Sequence, residues 1–165
     1  DCLEAIGGPT DMAQPSARRI KMLKNCQSLA ENAANSNPTF ALAWYIAADA
    51  SAELKQYDLF NFQLAAAQKT APNEQWLATL RVALAEDNLS RLSNEARAGN
   101  DNDLKLLVQS RLGVASIAAR YVAQPKFRER ITLIVETLNN EEQRRFVSFV
   151  RAAAREAYRK RTLTQ

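Results

Sequence analysis

The sequence contains no histidine, and glycine and cysteine are scarce, with four and two residues in a chain of 165. Without histidine the usual general base near neutral pH is missing, and Ser–His or Cys–His nucleophilic pairs cannot form. Gly7 and Gly8 stand alone, so there is no glycine-rich phosphate-binding loop. The sequence also lacks the CxxC motif that would indicate a metal or redox site. The sequence therefore predicts a protein that is not an enzyme and that binds no cofactor and no metal.

Long apolar runs are also missing, and none approaches the roughly 20 residues that a membrane span needs. The chain starts at Asp1 rather than at a methionine. One interpretation is that an export signal or membrane anchor has been removed, and the other is a cytoplasmic protein cut at a domain boundary. We expect a periplasmic or envelope-associated protein, with the cytoplasm as the alternative.

The two cysteines, Cys2 and Cys26, both lie in the first quarter of the chain. A disulfide between them would close a loop that contributes roughly 3–4 kcal/mol in the chain-entropy model. The alternative is a pair of buried free thiols that act as small hydrophobic groups. We favour the disulfide because Cys2 lies near a chain end, where a bridge fastens the terminus, and because export is expected.

Residues that favour helix are abundant, in particular Ala, Leu, Arg, Gln and Glu, whereas runs of β-branched residues are nearly absent. A chain of this length fits one domain with a real core. The prediction is a single all-α domain over residues 1–165.

Residues 37–72 keep helical spacing of apolar positions on both sides of a break at 55–58. This pattern predicts two helices joined by a tight turn, with Asp58 as the N-cap of the second. Each half of the pattern is punctuated by a proline, Pro38 or Pro72, and a tryptophan follows soon after each proline, at Trp44 and Trp76.

The interval between the two prolines is about 34 residues, which is the period of the helix–turn–helix units in tetratricopeptide repeats, and the sequence resembles that family. The matching positions are Trp44, Ala47, Ala48, Tyr57, Leu64, Ala67 and Pro72. Three positions depart from the pattern: Ser51 replaces the usual Tyr, Lys55 the usual turn Gly, and Phe60 a small residue. One repeat at 41–74 and a half-preserved neighbour at about 16–40 carry the resemblance.

The resemblance implies antiparallel helix pairs stacked as a short right-handed solenoid over residues 1–100, followed by a basic helical cap over 101–165. Turns are expected near 36–39, 55–58, 71–74 and 86–89, and Phe60 is expected to be buried within its pair. A shorter helix from Leu89 should close at Gly99-Asn100, the next should start at 101–103, and Gly113 should stop it.

The resemblance also implies a concave groove that binds another protein or a peptide segment with basic character. The first helix of each pair lines such a groove. Its predicted partner-binding residues are Tyr45, Asp49, Glu53, Thr79 and Glu86, beside Leu42 and Ala83.

The positive charge of the chain is concentrated in residues 101–165, which carry thirteen basic and seven acidic residues. The last predicted helix has a basic face formed by Arg144, Arg151, Arg155 and Arg159. Such a face could meet anionic lipid, acidic polysaccharide or nucleic acid, although a solvated arginine-rich helix is the commoner case. Nucleic acid is the least favoured, because exposed aromatics are not interleaved with these arginines and the middle third is acidic.

Two pairs of acids, Asp101/Asp103 and Glu141/Glu142, are interpreted as helix-start residues rather than as proton-sharing pairs. Asn140 and Gln143 are expected to form a capping box. The segments KFRERI and QRRFVSFVR are similar to helical domains of bacterial proteins connected with cell-surface polysaccharide production. This likeness extends the expectation of an envelope protein.

Overall fold

The computed structural model describes residues 2–6 and 16–163. The sequence predicts that Gly7-Gly8-Pro9 stops the first helix and that Pro15 opens the second, and these four residues lie outside the described ranges. Every regular element in the described ranges is a helix, so the all-α prediction is confirmed. The helices are α1 (Cys2–Ala5), α2 (Ser16–Ser36), α3 (Ala41–Glu53), α4 (Tyr57–Thr70), α5 (Gln75–Asp87), a 3₁₀ turn (Leu89–Arg91), α6 (Asn94–Gln109), α7 (Gly113–Ala123), α8 (Pro125–Glu136) and α9 (Asn140–Leu163).

The chain divides into two compact units. Unit 1 comprises Asp1–Pro72 and Leu80–Asn100, and unit 2 comprises Asn73–Thr79 and Asp101–Gln165. Each is described separately below.

Helix α3 is the central helix of unit 1, and it packs against both α2 and α4. Alanine makes this possible, because six of its thirteen residues are alanines and all six are buried. Small side chains on two opposite sides let a helix bury itself between two neighbours instead of presenting one polar face to water. Phe60 from α4 has no exposed surface, which confirms its predicted burial.

Ser51, where the repeat family has Tyr, is the centre of a buried polar network in unit 1. Its hydroxyl accepts a hydrogen bond from Nε2 of Gln27 at 2.8 Å and donates one to Oε1 of Gln63 at 2.6 Å. Gln63 in turn donates to Glu31 at 2.8 Å, and Gln27 donates to Gln56 at 2.5 Å. The network joins α2, α3 and α4, so that these buried amides have partners.

Cys2 and Cys26 form a disulfide with a Cα–Cα separation of 5.6 Å, as predicted. Around it lies a small apolar cluster that includes Ile6 and Leu23. The bridge therefore joins α1 to α2.

The predicted turns at 36–39, 55–58 and 71–74 fall where helices end, but the N-cap of α4 differs from the prediction. Gln56 precedes the helix and Asp58 lies within its first turn. The turn is closed by Lys55, whose φ of 60° is the backbone conformation that glycine adopts most easily.

The prediction for residues 89–113 is wrong at three points. Leu89 opens only a 3₁₀ turn, and α6 runs unbroken through Gly99, Asn100 and the acids at 101–103. Gly99 does not end a helix; it leaves room for the side chain of Gln68, which a Cβ atom would strike. Gly113 begins α7 instead of stopping a helix, and its N–H donates to Oγ of Ser110 at 2.6 Å.

Because Asp101 and Asp103 lie inside α6, their interpretation as helix-start residues is also wrong. Asp101 forms an ion pair with Arg130, and Asp103 is buried with 3% of its surface exposed. Asp101 and Asp103 are two residues apart on a helix, so their carboxyl groups project from different sides of it. Glu141 and Glu142 do lie in the first turn of α9, as expected.

In unit 2, α7 packs against both α8 and α9. Ile117, Phe127, Ile131 and Phe146 are buried in its core, and Tyr121 meets Phe146 edge to face with ring centroids 5.6 Å apart. Before α9, Asn139 and Glu142 make the reciprocal hydrogen bonds of a capping box, at 2.9 and 3.2 Å. The predicted pair, Asn140 and Gln143, is one residue too late.

Candidate functional site

The first predicted groove residues lie on α3, and the structure places Tyr45 in the core with 6% of its surface exposed. This differs from a groove-facing side chain, because α3 is covered on two sides by α2 and α4. Burial raises the pKa of the Tyr45 phenol well above its ordinary value, and the negative charge of Asp49 raises it further. Tyr45 and Asp49 are therefore close, and little of the surface of Tyr45 is exposed.

The two glutamates predicted for the groove already have partners inside unit 1. Glu53 forms an ion pair with Arg19 of α2, and Glu86 accepts a hydrogen bond from Nδ2 of the buried Asn100 at 2.6 Å. A partner would have to compete with these contacts for each carboxylate.

Thr79 is exposed and belongs to the short segment of unit 2 that precedes Leu80. Its hydroxyl donates to the carbonyl of Gln75 at 3.0 Å. Beside the predicted groove residues, Leu42 is half-buried and Ala83 is exposed. The partner-binding role of this set stays a prediction.

A pair of aromatic rings on unit 1, one exposed and one half-buried, is not among the predicted site residues. The ring of Phe62 meets that of Trp44 edge to face, with centroids 5.8 Å apart, and 63% of Phe62 is exposed. The indole N–H of Trp44 donates to the carbonyl of Pro38 at 3.0 Å, which fixes the orientation of the ring. Phe40, 45% exposed, lies one helical turn before Trp44. We call Trp44 and Phe62 the aromatic pair.

A signal for the aromatic pair is present in the sequence. Phe60 and Phe62 are two residues apart, so that on a helix they point about 200° away from each other. If Phe60 faces the core, Phe62 must face away from it. The repeat pattern includes Phe60 but not Phe62, and the position of Phe60 concerns packing rather than binding.

All four arginines of the predicted basic face on α9 are exposed. An open groove of about 460 Å³ runs beside the first half of this face, lined by Asn140, Gln143, Arg144, Val147, Ser148 and Arg151. We call it the arginine groove. The side chains of Arg144 and Arg151 make no hydrogen bond or ion pair with any other residue in the part of the chain that the structure describes.

Several other cations of unit 2 are engaged within the unit. Arg130 forms its ion pair with Asp101, and Arg145 donates to the carbonyls of Val108 and Gln109 at 3.4 and 2.8 Å. Arg159, at the far end of the basic face, contacts Glu156 at 2.6 Å. Arg144 and Arg151 differ from these cations, because within residues 2–6 and 16–163 no contact engages their charges.

Within residues 2–6 and 16–163, no helix has the length and apolar character required to cross a membrane. No protein-family model, curated protein or solved structure matches this chain. The function is therefore inferred from the surfaces and charges of the chain.

Proposed function

We propose that the chain is a non-catalytic protein-binding module, built in unit 1 from helix pairs of the tetratricopeptide type. The tight turn at Lys55, in the backbone conformation of the family's glycine, supports this interpretation. So do the family's packing positions at Ala47, Leu64 and Ala67, which have no exposed surface. In this proposal the helix pairs stack as a short solenoid.

The observation that carries the proposal is the aromatic pair. Large aromatic side chains are the commonest hot spots of protein interfaces, and rings held in place before binding lose little entropy on association. Trp44 is held by its bond to Pro38, and Phe62 packs against it. Asp58 is exposed one helical turn before Phe62, and it adds a negative charge beside the aromatic pair. The partner should insert an apolar side chain flanked by a basic residue.

The cellular setting is a further part of the proposal. A disulfide is typical of oxidising compartments, which supports a periplasmic or envelope-associated protein. A role in cell-surface polysaccharide production is proposed on the likeness of the segments KFRERI and QRRFVSFVR alone. Mass spectrometry of non-reduced protein from its native source tests this location. Two alkylatable thiols at Cys2 and Cys26 would favour the cytoplasmic alternative.

Affinity capture from native membranes, followed by site-specific photocrosslinking at residue 62, tests the binding function. Trp44→Ala with Phe62→Ala should abolish the captured band. Trp44→Ala alone, in the protein that carries the photoreactive residue at position 62, should abolish the crosslink. Leu29→Ala, which removes a side chain that is 65% exposed on α2, should leave both unchanged. If instead Asp49→Lys with Glu53→Lys abolishes capture while the aromatic double variant does not, the acidic residues of α3 form the binding surface.

A further inference from the structure

Arg144 and Arg151 are seven residues apart on α9, and within residues 16–163 neither side chain forms an ion pair. Seven residues are two helical turns, or about 10 Å along the axis. Val147 and Ser148 lie between them, and both are small enough to leave the groove open. Arg155 follows four residues after Arg151, and its Nε donates only a long hydrogen bond of 3.4 Å to the carbonyl of Arg151. The three guanidinium groups thus line one side of the helix at steps of seven and four.

A guanidinium group offers a planar set of donors that matches a carboxylate with two parallel hydrogen bonds. The amides of Asn140 and Gln143 and the hydroxyl of Ser148 add polar groups to the same groove. Carboxylates on one face of a helix also recur at steps of three, four and seven residues. The spacing of the arginines is therefore the spacing that glutamates on a partner helix would have.

We propose that the arginine groove, extended by Arg155, binds an acidic helical segment of a partner protein. This surface belongs to unit 2 and is separate from the aromatic pair of unit 1, so the inference goes beyond the function proposed above. The surface is positively charged, and no described residue pairs with Arg144 or Arg151, so the occupant should be acidic. Ser148 and Val147 leave space for the backbone of the incoming helix.

A membrane surface fits this helix less well. Helices that lie in the membrane interface carry a continuous apolar face, which they insert between the lipids. Along the basic face of α9 the large exposed apolar side chains are Val147 and Tyr158, which lie about three helical turns apart. The concave groove also suits a side chain that enters it better than it suits a flat surface.

The test uses the full chain and a labelled helical peptide of about 20 residues, because shorter isolated helices are marginal in water. The peptide carries glutamates at positions 5, 9, 12 and 16. These positions contain the steps seven-then-four and four-then-seven, so the peptide can match the arginines in either direction. A second peptide has the same composition, with its glutamates distributed around the helix. Fluorescence anisotropy at a physiological salt concentration of about 0.15 M should give a dissociation constant at least tenfold lower for the first peptide.

Charge reversal and charge conservation then locate the contact. Arg144→Glu with Arg151→Glu should weaken binding of the first peptide at least tenfold, and a peptide with lysines at the four positions should bind this variant instead. Lys105→Glu with Lys126→Glu makes the same change in net charge at two exposed lysines on other helices of unit 2, and it should change the affinity less than twofold. Arg144→Lys with Arg151→Lys keeps the charge but removes the planar donors, so it should weaken binding severalfold.

Three results would overturn the proposal. Equal affinity for the two peptides would mean attraction by net charge alone. Equal weakening by the lysine-to-glutamate control would mean the same. Binding of mixed phosphatidylglycerol and phosphatidylcholine vesicles, or of duplex RNA, that depends on Arg144 and Arg151 while the first peptide does not bind would assign the groove to an anionic surface or to nucleic acid. Loss of the crosslink at residue 62, by contrast, bears only on the aromatic pair.

Discussion

Gly99 lies so close to the side chain of Gln68 that a Cβ atom on residue 99 would stand 2.1 Å from Oε1 of that glutamine. Both residues belong to unit 1, and Nε2 of Gln68 donates to the carbonyl of Ala96 at 3.2 Å. A glycine inside a helix costs about 1 kcal/mol relative to alanine. Here the missing side chain of Gly99 leaves room for the buried Gln68 amide of α4 to reach the carbonyl of Ala96 in α6.

Gly99→Ala should lower the free energy of unfolding by about 1–3 kcal/mol, since displacing the buried Gln68 amide costs more than the helix propensity gained. Urea denaturation measures the change. Gln68→Ala in the same background should recover part of the loss, because the obstructing amide is then absent. A stabilised Gly99→Ala protein would show that Gln68 moves aside freely.

Lys55→Gly should raise the free energy of unfolding by about 0.5–1 kcal/mol, because it relieves backbone strain. Lys55 has a φ of 60°, and a residue with a Cβ atom is strained there by roughly 1–2 kcal/mol. Glycine removes this strain, but it also has more conformational freedom in the unfolded chain, which offsets part of the gain. Lys55→Ala keeps the strain and removes only the long side chain, so it should change stability little. If the alanine variant gains as much as the glycine variant in urea denaturation, the backbone strain is not the cause.

Local patterns were sufficient for the helices of residues 16–72. Apolar spacing and the prolines at 38 and 72 are properties of short segments, and they placed α2, α3 and α4 with their turns. The same reasoning failed at Gly99 and Asn100. Their residue types often end a helix, but here each residue contacts a side chain that is distant in the sequence. Gly99 accommodates Gln68 from α4, two α-helices earlier in the chain, and Asn100 donates to Glu86 across a turn.

The candidate site was predictable only in part, for a related reason. The exposed arginines of α9 followed from helical periodicity alone. The resemblance to the repeat family predicts Tyr45 on an open face of α3, whereas the structure leaves only 6% of its surface exposed. No local pattern signals that Arg81 is wholly buried and donates to the carbonyls of Ala67 and Ala71, both at 3.2 Å. Such contacts depend on how distant helices pack.

The two phenylalanines of α4 should respond oppositely to truncation. Phe60→Ala should lower the free energy of unfolding by about 3–5 kcal/mol, because it leaves a cavity where a side chain with no exposed surface had packed. Phe62→Ala should cost less than about 1 kcal/mol, since most of Phe62 is exposed, and it serves as the matched control. Thermal and urea unfolding of both variants checks the difference. Similar losses would mean that the aromatic pair has a structural role.

Removing the disulfide should destabilise unit 1. Cys2→Ser with Cys26→Ser should lower the free energy of unfolding by about 2–4 kcal/mol, because the bridge closes a loop over 24 positions of sequence and restricts the unfolded chain. The same loss should appear in the native sequence on addition of a phosphine reductant. The reductant should have no effect on the double-serine variant, which separates loss of the bridge from any other action of the reagent.

The buried phenol of Tyr45 should make stability depend on pH in the alkaline range. Its pKa is raised in the folded protein, by burial and then by the charge of Asp49, whereas the unfolded chain titrates near the ordinary value of about 10. Above about pH 10 the unfolded state therefore binds fewer protons than the folded state, and stability falls by up to about 1.4 kcal/mol per pH unit. Urea denaturation across this pH range measures the decline.

Two variants separate the phenol of Tyr45 from other groups that titrate at high pH. Tyr45→Phe has no phenol to titrate, so it lacks this loss of stability at high pH. From about pH 7 to 9 the difference in unfolding free energy between Tyr45→Phe and the native sequence should stay constant. At higher pH the native sequence should lose stability relative to Tyr45→Phe. Asp49→Asn should lower the pKa of Tyr45 without restoring it, so that the ultraviolet absorbance of the phenolate appears at a lower pH than in the native sequence. A Tyr45 that titrates near its ordinary pKa in a folded protein would show that the phenol reaches solvent.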